Sequence, residues 1–176
     1  THRMKDIEVD ENLTLETVYL EEDAEALAMS MIATGEANGL VPTTAFLTNM
    51  DSPLGNSVGN FLEIQECIEI MRGNLANLVR SRDLIALIVV QATQMLLQSG
   101  GLPDGTDFDG LCEGVYRLLD SGKVLDKFVE MVEAQGGDSS VVLAPEKYPT
   151  APTVLHLKAR RSGFVTQVNA LTVGQV

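Results

Sequence analysis

Residues 43–73 read TTAFLTNMDSPLGNSVGNFLEIQECIEIMRG, and three physical signals follow one another along that stretch. Thr43 to Thr48 is a β-branched and apolar run, which predicts a buried strand. Ser52-Pro53-Leu54-Gly55 signals a turn or the first turn of a helix, because Pro presets one backbone angle and Gly opens conformations closed to other residues. From Val58 onward the apolar positions Leu62, Ile64, Ile68 and Met71 form a helical stripe that stops at Gly73. Working upstream, Glu21 to Asn38 reads as a helix with Leu27, Met31 and Ile32 on one face. Glu21, Glu22 and Asp23 suit its positive end, and Gly39 ends it. Asp6-Ile7-Glu8-Val9 alternates and predicts a short strand, so strand, helix and strand succeed one another as a βαβ-like unit.

Downstream the pattern turns helical. Leu75 to Gln98 is long and mostly apolar, with a break near Arg82 and a stop at Gly100-Gly101. A helix of that character is expected to be buried on most sides. Leu111, Val115, Leu118 and Leu119 form the next stripe, ended by Gly122. Val124, Leu125, Phe128, Met131 and Val132 form another, ended by Gly136-Gly137. Ala144 to Pro152 holds three prolines and reads as an extended linker. Beyond it, Thr153 to Ala159 and Phe164 to Val168 alternate around an Arg161-Ser162-Gly163 turn, which predicts a β-hairpin. The expected organisation is an α/β, mostly helical domain over residues 1–143, a Pro-rich linker over 144–152, and the start of a further, incomplete domain over 153–176.

The 176 residues are 45% hydrophobic, enough for one core. Twelve basic residues face 25 acidic ones, a net charge of −13. That balance argues against nucleic acid, whose readers carry a basic footprint, and against an anionic membrane surface. The acidity is concentrated early: residues 1–40 carry ten acids against Arg3 and Lys5. The longest apolar run, Leu84 to Val90, is far short of the roughly 20 residues a membrane span needs. Residues 1–10 hold no apolar leader segment. Cys67 and Cys112 form no metal-binding or paired motif, so an intracellular, reducing compartment is expected. No phosphate-binding GxxxxGK[ST] loop, GxGxxG fingerprint or GxSxG elbow occurs. His2 and His156 stand without a nucleophile pattern, and Asp104, Asp107 and Asp109 lack the terminal Glu of a calcium loop. No catalytic or cofactor-binding residue is therefore expected from the motifs.

Thr48, Met50, Pro53, Leu54, Gly55, Val58, Gly59, Asn60, Leu62 and Glu63 fit the pattern T-x-M-x-x-P-L-G-x-x-V-G-N-x-L-E, and Glu66 and Ile68 fit the E-A-I that follows it. This stretch strongly resembles the thymidine and pyrimidine-nucleoside phosphorylases. LLDSGKVLDKFVEMVEAQGGD at 118–138 and ARRSGFVTQVNALTVG at 159–174 are similar to two later blocks of the same family, in the same order. The resemblance covers about residues 20–176. It implies phosphorolysis of pyrimidine nucleosides to free base and pentose 1-phosphate. It also implies a fragment of the family's α/β domain, with a β-hairpin opening the C-terminal α+β domain.

In family order, the Gly-rich phosphate loop and the Arg, Ser and Lys that hold the pyrimidine come before Thr1. Phosphate and nucleoside are thus expected as ligands only with that part supplied, and the chain alone is expected to be inactive. The family's loop D-V-K-x-G-S-G-A-F-M aligns with Asp6 to Thr14, where Lys becomes Glu8 and the glycines are gone. Extra carboxylates there would repel phosphate. The alternative expectation is a degenerate, non-catalytic homologue serving as a structural subunit, with protein partners in a larger assembly. One site carries over. In bacterial members two carbonyls near P-L-G-x-x and one Glu hold a potassium-like ion, and the matching residues are Leu54, Ser57 and Glu66. No other cofactor is expected. A continuous helix would separate Ser57 from Glu66 by about 13.5 Å, so the site demands a turn folded back beside the later helix.

Overall fold

The computed structural model describes residues 21–39, 43–103 and 105–175. The expected strand at Asp6 to Val9 and the acidic loop through Thr14 lie outside the described residues. The chain divides into two compact units, at Thr48/Asn49. In the first, helix α1 spans Glu21–Ala37. Its end is closed as the sequence predicts: Asn38 donates to the Thr34 and Gly35 carbonyls, and Gly39 takes φ +81°.

The second unit is helical. It contains α2 (Asn60–Met71), 3-10 turns at Leu75–Asn77 and Val79–Ser81, and α3 (Arg82–Gln98). Then follow α4 (Phe108–Asp120), α5 (Lys123–Ala134), the short α6 (Ser140–Leu143), a 3-10 turn at Pro145–Lys147, and α7 (Ala170–Gly174). The predicted break near Arg82 is the second 3-10 turn. Gly73 at φ +83° and Asn74 at φ 61° turn the chain out of α2. Only glycine fits at 73, because a Cβ there would stand 2.1 Å from the Asp120 carbonyl oxygen. The Asp120 side chain in turn accepts the Leu75 N–H at 2.7 Å. This close approach brings α2, the α4–α5 turn and α3 around one core of Ile70, Leu75, Ile85, Val89 and Leu119.

Helix α3 buries one side rather than most of its surface. Ile85, Val89 and Thr93, four residues apart, face inward, while Met95 is 72% exposed. None of the described helices is long and apolar enough to cross a membrane.

Two expectations need correction. Neither Thr43 to Thr48 nor the arms Thr153 to Ala159 and Phe164 to Val168 form strands, and no strand occurs among the described residues. A strand exists only within a ladder, and a lone two-stranded hairpin is marginal in water. Leu157 at 98% exposed and Phe164 at 100% exposed find nothing to pack on. The α/β expectation therefore holds only for its helical part. Within the Pro-rich segment, Pro145–Lys147 is helical and the Tyr148 ring stacks on Phe61 in α2, centroids 3.5 Å apart.

Candidate functional site

The segment before α2 reverses direction through Gly55 at φ +72° and Gly59 at φ +122°. It lies back against the middle of α2 and the beginning of α3. Glu66, one turn and a half into α2, is only 7% exposed. Its two carboxylate oxygens accept the Asn56 N–H at 2.9 and 3.0 Å. The buried Ser81 hydroxyl donates to Oε1 at 2.5 Å. Immediately before Asn56, the Gly55 N–H donates to Asp83 Oδ2 at 3.1 Å. Gly59, the N-cap of α2, donates its N–H to Glu63 Oε1 at 2.9 Å, so the turn is fastened at its far end too. A Cβ at position 55 would meet Glu66 Oε1 at 2.8 Å, which explains glycine there on space as well as on φ.

Negative charge collects at this turn without a basic partner. The ion pairs identified among the described residues, Arg117–Glu113 and Lys127–Glu130, lie elsewhere. Glu66 is instead held by neutral N–H and O–H donors. Cys67, its neighbour on α2, reports the same field: burial first, then the charges of Glu66 and Glu63, push its thiol pKa up. A carboxylate offers about four lone-pair sites, and the three contacts to Glu66 leave capacity at Oε2. A buried carboxylate without a basic partner and with a lone-pair site left at Oε2 suits a hard cation by its oxygen chemistry. It does not fit a thiol- or imidazole-bound metal, and no cluster of three or more His, Cys, Asp and Glu able to hold a metal occurs among the described residues.

Leu54 and Ser57 flank this contact, two residues before and one after Asn56. The demanded fold-back is present, since α2 begins only at Asn60 and the preceding turn carries Asn56 onto Glu66. Sequence reasoning missed Ser81 and Asp83. Their only signal was the polar Ser-Arg-Asp interruption near Arg82, which reads as a break in the long helix and nothing more.

A groove of about 470 Å³ adjoins the turn, between Pro53, Asn56 and Val58 on one side and Val165, Val168 and Val173 on the other. The Ala170 N–H donates to the Asp51 carbonyl at 2.8 Å, and Asn169 caps α7. A second groove of about 440 Å³ runs over Leu75, Ile85 and Val89 to Cys112 and Tyr116, with Arg82 among its lining. Neither holds an acid–base pair. His156 is exposed on the 153–159 arm, Asp107 is occupied capping α4, and Asp104 lies outside the described residues.

The chain is similar to pyrimidine-nucleoside phosphorylases of Staphylococcus epidermidis, strains ATCC 12228 and ATCC 35984, with 35% identity over 153 residues. It is 34% identical over the same length to the enzyme of that name in Staphylococcus aureus strain RF122. These matches take in 87% of this chain but 33% of each relative, so the chain spans about one third of the length of the curated relatives it matches. No family model matches the chain, and no solved structure does. Over those 153 residues, the resemblance read from the sequence is to curated proteins of that same name, the pyrimidine-nucleoside phosphorylases.

Proposed function

We propose that this chain supplies the cation-binding turn and the later helices of a pyrimidine-nucleoside phosphorylase α/β domain. Joined to the part that carries the phosphate loop and the pyrimidine-holding side chains, it serves phosphorolysis of pyrimidine nucleosides to free base and pentose 1-phosphate. The observation that carries this reading is Glu66, buried, held against the Gly55–Asn56 turn, and without a basic partner. The Leu54 and Ser57 carbonyls and the Glu66 carboxylate would hold a potassium-like ion. When bound, that ion neutralises Glu66 and ties the turn to α2. The residues of this chain provide the platform: α2 fixes Glu66, Ser81 orients it, and the glycines let the turn come close.

In the completed domain, residues 43–48, 153–159 and 164–168 would be strands within a larger sheet. An intracellular, reducing compartment is the setting this reading implies, consistent with two free cysteines. The second reading, a non-catalytic homologue acting as a structural subunit, draws on the exposed apolar side chains Leu155, Leu157 and Phe164.

One experiment separates them. Phosphate-dependent release of thymine from thymidine is measured for the 176-residue chain alone and for the chain fused behind the N-terminal part of the Staphylococcus epidermidis enzyme. The expected result is no turnover alone and turnover in the fusion. Electrostatic anchoring of the transferring group supplies most of such a rate enhancement, and it has to come from the added part. Turnover by the isolated chain overturns this division of labour, and a folded but inactive fusion selects the structural subunit.

A further inference from the structure

We infer that Asp83 is a positioning residue that sets the direction of the Leu54 carbonyl, with Ser81 doing the same for the Glu66 carboxylate. The inference deepens the cation-site reading above and rests on it for its functional meaning. Its geometric basis is independent. The described peptide bonds are trans, so the C=O of one residue and the N–H of the next point in opposite directions. The Gly55 N–H points at Asp83 Oδ2, 3.1 Å away, which turns the Leu54 carbonyl away from Asp83. The Asn56 N–H points at Glu66, which turns the Gly55 carbonyl away from Glu66. Two consecutive peptides are thus oriented by two carboxylates from different helices.

The orientation needs such a device. Gly55 is at φ +72°, where glycine pays no steric penalty and the preceding peptide is free to flip. A flipped Leu54–Gly55 peptide would aim the Leu54 oxygen at the Asp83 carboxylate, a repulsive arrangement. Asp83 is itself held: its Oδ1 accepts the Leu84 N–H at 2.9 Å, and it sits in the first turn of α3, where a carboxylate is favoured. Ser81, two residues earlier and buried, places its hydroxyl on Glu66 Oε1. The start of α3 therefore reaches both the backbone and the carboxylate of the site.

The test uses amide hydrogen exchange at Gly55 and Asn56 in the 176-residue chain, in KCl and in choline chloride, for wild type, Asp83→Ala and Asp83→Asn. Asp83→Ala is expected to speed exchange at Gly55 about 10- to 100-fold, the loss of one hydrogen bond to a charged acceptor, with α4 and α5 amides unchanged. Asp83→Asn keeps an acceptor oxygen and is expected to restore most of the protection. In wild type, K⁺ is expected to slow exchange across residues 54–57, and Asp83→Ala to abolish that K⁺ effect. Gly55 exchange within about twofold of wild type in Asp83→Ala overturns the positioning role. Absence of any K⁺ effect in wild type, with Gly55 still accelerated in Asp83→Ala, overturns the cation site and leaves the positioning intact. If Asp83→Ala does not fold, Ser81→Ala carries the parallel test, read as faster exchange at Asn56. Unchanged Asn56 exchange there counts against the inference.

Discussion

Gly55 meets two separate demands, and they can be measured apart. Its φ of +72° is costly for any residue with a Cβ, by about 1–2 kcal/mol. The added Cβ would also stand 2.8 Å from Glu66 Oε1, an atom held by Asn56 and Ser81 and so unable to swing aside. Gly136, at φ +78° with nothing within 4 Å, carries only the first cost. In urea unfolding, Gly136→Ala is expected to lose about 1–2 kcal/mol and Gly55→Ala about 2–4 kcal/mol. Equal losses would mean that the carboxylate yields and that the turn is loosely held. This part of the site was legible in the sequence. Pro53, Gly55 and Gly59 permit a reversal by their backbone chemistry, and the cation site implied by the family resemblance demanded the one that brings Glu66 to the turn. Ser81 and Asp83 were not legible, because they act 15 and 28 residues from their partners and only packing of α3 against the turn sets those contacts.

At the level of elements, periodicity proved a sound guide wherever a helix carries its own hydrogen bonds. The stripe Leu111, Val115, Leu118, Leu119 became α4, and the stripe from Val124 to Val132 became α5, each stopping where glycine stops it. The strand expectations failed for a physical reason rather than a weak pattern. Strand preference describes fit to a pleated, partnered surface, and among the described residues neither TTAFLT nor FVTQV is assigned to a strand. The start of α4 shows how much one side chain contributes to an element. Asp107 precedes Phe108 in extended conformation and accepts the Gly110 N–H at 2.7 Å, the geometry of an N-cap. Asp107→Ala is expected to cost about 1 kcal/mol in thermal or urea unfolding, and Asp107→Asn to recover nearly all of it. Asp107→Asn as damaging as Asp107→Ala would show that charge, acting on the helix dipole, matters more than the hydrogen bond.

On the scale of the whole molecule, two opposing surface properties meet. A net charge of −13 favours dispersed chains by mutual repulsion. Leu155, Leu157, Phe164 and Val165 present apolar surface to water along one segment, and Met95 and Leu96 do so on α3. Exposed apolar side chains of this kind favour association where they form a contiguous patch. Salt decides which force is at work. Exposed charges more than about 8 Å apart are largely screened at 0.15 M ionic strength, so raising NaCl relieves the repulsion while leaving apolar burial in place. The chain is therefore expected to associate with rising concentration in sedimentation velocity, and more strongly at 0.5 M NaCl than at 0.05 M. Were contact instead made between the acidic surface and the basic Lys158, Arg160 and Arg161, salt would dissolve it. Replacing Leu155, Leu157 and Phe164 together by Ser is expected to return the chain to monomer with helical content unchanged by circular dichroism, since none of the three belongs to the core around Ile70 and Leu119. A wild-type chain that stays monomeric at high salt and high concentration would assign that apolar segment no role in association.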